Sequence, residues 1–318
     1  DKPSAAAIVA MRMPGLDSRD FAALEVLADV LGNHRFDLYA LVPAGKALDA
    51  DFSLDALPHA SIGYAEVSFP AGGDAKEAEN AIRTILGNVK KNGVPAELVE
   101  AAKIQERRAT EFQKNGIEDL ASVWSDAIAL YGLGSPEEDL ARIEKVTVAD
   151  VNRVARKYLD LDHAIVAVMT PRHSGQPVAA NATFGGKESI ALGEAADTKL
   201  PDWAQSALGH LTVPPSTINP TISTLPNGIT LIVQPEDVSD TVSVYGHIRN
   251  RAETETPPGK DGVAPLLEQM FSYGTESLDR LAFAKALDDI GASARAGTDF
   301  QVHTLSADFD RGVALLAD

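Results

Sequence analysis

Gly262-Val263-Ala264-Pro265-Leu266-Leu267-Glu268-Gln269-Met270-Phe271, followed by Gly274-Thr275, is the stretch on which the reading of this chain turns. Its apolar residues fall at helical spacing and predict a helix over about 262–272. Upstream, Thr241 to Ile248 predicts a strand, and Pro258-Gly259 punctuates the loop between the two. The same order occurs near the start of the chain. Ile8 to Pro14-Gly15 leads into Ala22-Ala23-Leu24-Glu25-Val26-Leu27. Strand, polar loop and Leu-Glu helix recur, which predicts two copies of one ancestral domain.

Working outward, the first copy predicts a β-α-β-β-α-α-α-α-β layout over residues 1–171, an α+β domain. The apolar run Ala5 to Met13 is the first strand. Phe21, Leu24, Leu27, Ala28 and Leu31 mark a helix closed by Gly32. Two strands flank Leu57-Pro58, the second from Ala60 to Phe69. Asp74 with Glu77 reads as a capping box, and Gly93 as the left-handed residue that ends that helix. Pro95 opens a charge-dense helix to about Asn115. Ser135-Pro136-Glu137 and Thr147 with Asp150 start two more. His163 to Met169 supplies the closing strand.

Residues 172–220 lack sustained periodicity and are rich in Pro and Gly, which predicts an interdomain connector anchored by Trp203. From 221 to 318 strands and helices resume. Leu225-Pro226-Asn227-Gly228 is a turn, a second helix covers about 279–290, and strand-like runs lie near 293–295 and 300–307. A final helical pattern starts at Asp310 and stops at Asp318, so the second domain is expected to be incomplete. The opening Asp1-Lys2-Pro3 is likewise expected to follow a segment that has been cut away.

Composition narrows the partners. The chain of 318 residues carries 46 Asp plus Glu against 28 Lys plus Arg, a net charge of -18. That field repels phosphate backbones, which argues against nucleic acid. No apolar run approaches the ~18 residues of a membrane span. The chain has no cysteine, which excludes disulfides, thiolate metal sites and a cysteine nucleophile, and suits a periplasmic protein.

The 262–271 stretch resembles the zinc helix of the M16 metallopeptidases (pitrilysin, insulinase and mitochondrial processing peptidase). Their signature is the inverted H-x-x-E-H. Imidazoles at i and i+4 share one helix face and bind zinc, while the Glu at i+3 takes a proton from the bound water. Here those imidazole positions are Pro265 and Gln269, and only Glu268 is retained. Leu225-Pro226-Asn227-Gly228-Ile229, the 257–262 loop and Leu287 to Ala292 with Ala294-x-Ala296 are similar to the flanking pattern of such a domain. Residues 5–171 resemble the family's non-zinc domain, through Met13-Pro14-Gly15, Asp20 to Gly32 and the strand ending at Thr170-Pro171.

The resemblance implies two M16-type domains, each a mostly antiparallel sheet packed with helices, from the middle of a tandem chain. Zinc and the catalytic residues would lie in an upstream half, a partner within the same chain, and this segment would bind no cofactor. It would serve as scaffold and chamber wall for a peptide substrate. The alternative is a peptidase-dead binding or assembly protein on the same scaffold. Self-association is expected through Leu266, Leu267, Met270 and Phe271.

His247 and His303 lie on strands of one domain and could meet as a metal pair, although packed or surface histidines are commoner. The other histidines have no ligand spacing. Glu268, Asp288-Asp289 and Arg107-Arg108 read as solvated surface charge.

Overall fold

The computed structural model describes residues 4–171, 201–210, 218–249, 256–260 and 262–318. Most of the proposed connector, with His173, lies outside them. Among the described residues, those up to 171 group in space with 238–318, and those from 201 to 237 form a separate unit.

Alternation along β1 (Ser4–Pro14) organises the first sheet. Ala5, Ala7, Val9, Met11 and Met13 are buried, as a period of two demands of a strand with one face on a core. β1 pairs antiparallel with β3 (Ala60–Pro70), Val9 opposite Ala65, and on its other side with β4 (Ile165–Met169). β2 (Asp49–Asp55) adds to the far edge of β3, giving the order β2-β3-β1-β4. Helices α1 (Phe21–Gly32), α2 (Ala75–Asn92) and α6 (Val148–Tyr158) pack with this sheet. Leu24, Leu27, Ile82, Leu86, Val151 and Val154 from the three helices fill the core. Each such side chain contributes about 1.5–3 kcal/mol by leaving water.

Helix ends follow local chemistry. Asp74 Oδ1 accepts from the Lys76 and Glu77 backbone at the start of α2, and Gly93 ends it at φ 82. Thr147 and Asp150 form a reciprocal capping box on α6. Asp20, just before α1, accepts from Arg153 (2.7 Å), Lys157 (2.9 Å) and Tyr158 (2.8 Å) of α6. Burial alone would raise its pKa, but these donors outweigh it and bring the carboxyl down to about 2.

Between α2 and α6 the chain forms α3 (Ala96–Gln113), α4 (Ile117–Ala129) and α5 (Pro136–Glu144). Helix α4 is an addition to the layout expected from the sequence. It follows Gly116, and its large apolar residues Ile117, Trp124 and Ile128 face solvent, while the small Ala127 is its buried residue.

In the separate unit, α7 (Asp202–Gly209) lies within the segment read as an interdomain connector. Trp203 on it is 75% exposed, so burial of the indole does not anchor the segment. β5 (Thr221–Thr224) and β6 (Thr230–Val233) make an antiparallel hairpin around the Leu225–Gly228 turn. In the 238–318 part, β7 (Thr241–His247), β8 (Ser293–Arg295) and β9 (Asp299–Leu305) form an antiparallel sheet of order β7-β9-β8. It carries α8 (Val263–Met270), α9 (Arg280–Asp288) and α10 (Phe309–Ala317), with Gly312 of α10 buried against Val302 and Thr304. The architecture is α+β with antiparallel sheets, as the sequence predicts.

Candidate functional site

Helix α8 carries the stretch whose sequence resembles a zinc helix. Left-handed Gly262 (φ 91) precedes it, and Pro265 sits in its first turn, where a missing backbone N–H costs nothing. Pro265 and Gln269 are both exposed, one turn apart. Proline offers no ligand atom, and an amide oxygen is a poor substitute for an imidazole nitrogen. Glu268 Oε2 lies 3.5 Å from Arg295 Nη2 on β8. The carboxylate that would activate a metal-bound water is therefore engaged by a cation. The donor set does not fit zinc, and no step through a metal can be drawn at this helix. Among the described residues, no group of three or more His, Cys, Asp or Glu is placed to hold a metal ion.

The two strand histidines do not meet. Asp299 is opposite His247 and Ser243 opposite His303, so the imidazoles stand four ladder steps apart, roughly 13 Å along the sheet. His247 Nδ1 pairs with Asp299 Oδ1 at 2.7 Å. His303 Nδ1 is 3.0 Å from Ser243 Oγ, and its ring packs edge-on to Phe112 and Tyr245. Burial, then the Arg108 charge, lower its pKa. Elsewhere His59 pairs with Asp17, His163 with Asp160, and His34 stacks on Tyr39. His210 bonds the Ser206 carbonyl.

Two charged pairs depart from their sequence reading as solvated surface. Arg107 does bridge to Glu144 in the open. Arg108 instead donates to Ser293 Oγ at 2.8 Å and lies over the Phe112 ring, and burial lowers its pKa. Asp288, with 14% of its side chain exposed, accepts from Arg35. Both are set by partners far away in sequence, which a local pattern does not carry.

The structure also gathers an acidic group that sequence reading passed over. Glu25 and Asp29 sit one turn apart on α1, with Glu106 of α3 and Asp139 of α5 close by. Glu25, Asp29 and Glu106 line a cavity of about 530 Å³. Glu25 Oε2 and Asp29 Oδ2 are buried with no hydrogen-bond partner in the protein. Burial, then the charges of Glu106, Asp139 and Asp29, push Glu25 up to about 9. Burial likewise raises Asp29, held against Glu106, and raises Glu106 itself. The signal was available: two acids at i and i+4 inside an otherwise apolar helix.

Comparison with known proteins places these observations. Residues 1–106 match the family model described as Peptidase M16 inactive domain. Comparison with curated proteins finds no match. Among solved structures, a protease from Helicobacter pylori is similar at 18% identity and TM-score 0.50, over 54% of this chain and 42% of that one. The chain thus spans less than half of that protein's length. A chain from Bordetella pertussis described as a zinc protease matches at 21% identity and TM-score 0.48, over 53% of this chain and 94% of its own. The inactive peptidase domain of a zinc protease from Bordetella parapertussis matches at 20% and 0.48, over 54% and 96%. The Helicobacter likeness supports the fold alone.

Proposed function

We propose, from the match of residues 1–106 to the model of the M16 inactive domain, that this chain is a non-catalytic portion of a zinc endopeptidase acting on peptides. One observation carries the reading. At α8, the helix whose sequence resembles the metal signature, Pro265 and Gln269 stand where imidazoles are needed, and Arg295 holds Glu268. The residues retain the scaffold and lack the chemistry. The chain would act as wall and support for a substrate whose cleavage occurs in a separate zinc-bearing half. An extended peptide is a suitable occupant of such a fold, because strand addition to a sheet edge supplies main-chain hydrogen bonds. The absence of cysteine and the acidic balance fit a periplasmic setting.

The test is a peptide-cleavage assay with and without chelator. The chain alone should be inactive, and adding it to a zinc-bearing M16 half should raise that half's chelator-sensitive turnover. Chelator-sensitive cleavage by the chain alone would sink the proposal. Binding without any effect on turnover would favour the peptidase-dead assembly role instead.

A further inference from the structure

Arg35 lies in the loop that follows α1, and its side chain is only 7% exposed. Its Nη2 donates to Glu97 Oε1 of α3 at 2.8 Å, and its Nη1 to Asp288 Oδ2 of α9 at 3.1 Å. Asn33 Nδ2 donates to the same Asp288 oxygen at 3.2 Å. From the other side, Arg280 at the start of α9 donates to the His34 carbonyl at 2.9 Å and lies over the Tyr39 ring. The 33–39 loop therefore grips both ends of α9. Along α3 the contact continues through Arg108 to Ser293 and through Asn115 to Thr241 and Ser239. Gly291, left-handed at φ 57, lets the turn after α9 approach α3 closely: a Cβ there would stand 2.9 Å from Ile104 Cγ2.

Asp288 is the informative residue. It is the last residue of α9, at the negative end of the helix dipole, where an acid destabilises an isolated helix. Its carboxylate makes sense only against the two donors that the first domain presents. We infer that Arg35 and Asp288 form a charge clasp that seats the 238–318 part on the first domain, a docking surface that can release without unfolding either side. Helix α8 takes no part in the clasp, which leaves its apolar residues free while α9 is held. The inference is independent of any peptidase role, since it concerns only how two parts of this chain meet.

Hydrogen exchange on the full chain tests it. Asp288→Ala should speed exchange in α9 by roughly ten-fold, the scale of a lost charged hydrogen bond, while α1 is unchanged. High salt should weaken α9 protection in the same direction. Lys285→Gln, which removes an exposed pair with Asp289 on the same helix, should leave α9 protection as it is. Arg35→Gln combined with Asp288→Ala should be no worse than the more severe single change. Unchanged or increased protection of α9 in Asp288→Ala would overturn the clasp, because removing the terminal acid would then act only on the helix dipole. Equal acceleration in α1 and α9 would overturn it too, by showing one cooperative body with no separable seat.

Discussion

Glu25 on α1 and Glu268 on α8 stand in opposite electrostatic surroundings. Glu268 is ion-paired with Arg295, whereas Glu25 is buried among Asp29, Glu106 and Asp139. Glu25 ordinarily titrates near 4.5 and is pushed up to about 9 in the fold. Between those values the folded state holds a proton that the unfolded state has lost, so stability falls as pH rises through that window. Asp29, Glu106 and Asp139 shift in the same direction, and the neighbouring Tyr131 hydroxyl is also raised, by burial and then by Glu25. Arg108 lies near the same cavity, and its charge is committed to Ser293. Glu25→Gln should therefore stabilise the chain by about 1–3 kcal/mol near pH 8 and flatten the pH slope. Urea unfolding at several pH values checks this, and an unchanged slope would contradict the buried-proton account. At α8, Pro265→His with Gln269→His should not create a working zinc site, because two imidazoles leave the ligand set incomplete and Arg295 holds the carboxylate that would activate a bound water. Zinc affinity should fall far short of the ~10–16 kcal/mol of complete structural sites. Chelator competition measures it, and chelator-sensitive turnover by the double variant would refute the expectation.

At the scale of the element, helix starts separate into those held by a side chain and those held by backbone geometry. Thr147 and Asp150 close a full capping box on α6. Ser135 makes no capping bond on α5, which relies on Pro136 at its first position. Thr147→Ala should thus cost about 1 kcal/mol and Ser135→Ala measurably less. Denaturant midpoints compare them directly, and equal losses would show that the reciprocal box adds nothing. Both starts were legible in the sequence because capping is local. Helix α4 was not legible, since its large apolar residues Ile117, Trp124 and Ile128 stay exposed, only the small Ala127 is buried, and Gly116 interrupts the pattern before it.

For the whole molecule, charge and apolar exposure oppose one another. Copies carrying a net charge of -18 repel, yet Leu266 (59% exposed), Leu267, Met270 and Phe271 present a contiguous apolar run on α8 and the turn after it. Screening should let the second effect win. Sedimentation should detect association that grows with salt, and Leu266→Lys with Met270→Lys should abolish it. A full chain that stays monomeric at every salt concentration would remove the α8 surface as a contact.

The sequence by itself determined most strands and helices, the Asp74 and Thr147 caps of α2 and α6, and the absence of an imidazole at both Pro265 and Gln269 on α8. Each of these depends on residues within one or two turns, where spacing and side-chain type settle the outcome. Tertiary structure alone decided that Arg108 and Asp288 are joined to other elements, that His247 and His303 take separate partners, and that four acids converge beside α1. Those outcomes depend on which elements the fold brings together. Burial and charge at such points come from neighbours between about 30 and 250 positions away, and no local pattern encodes them.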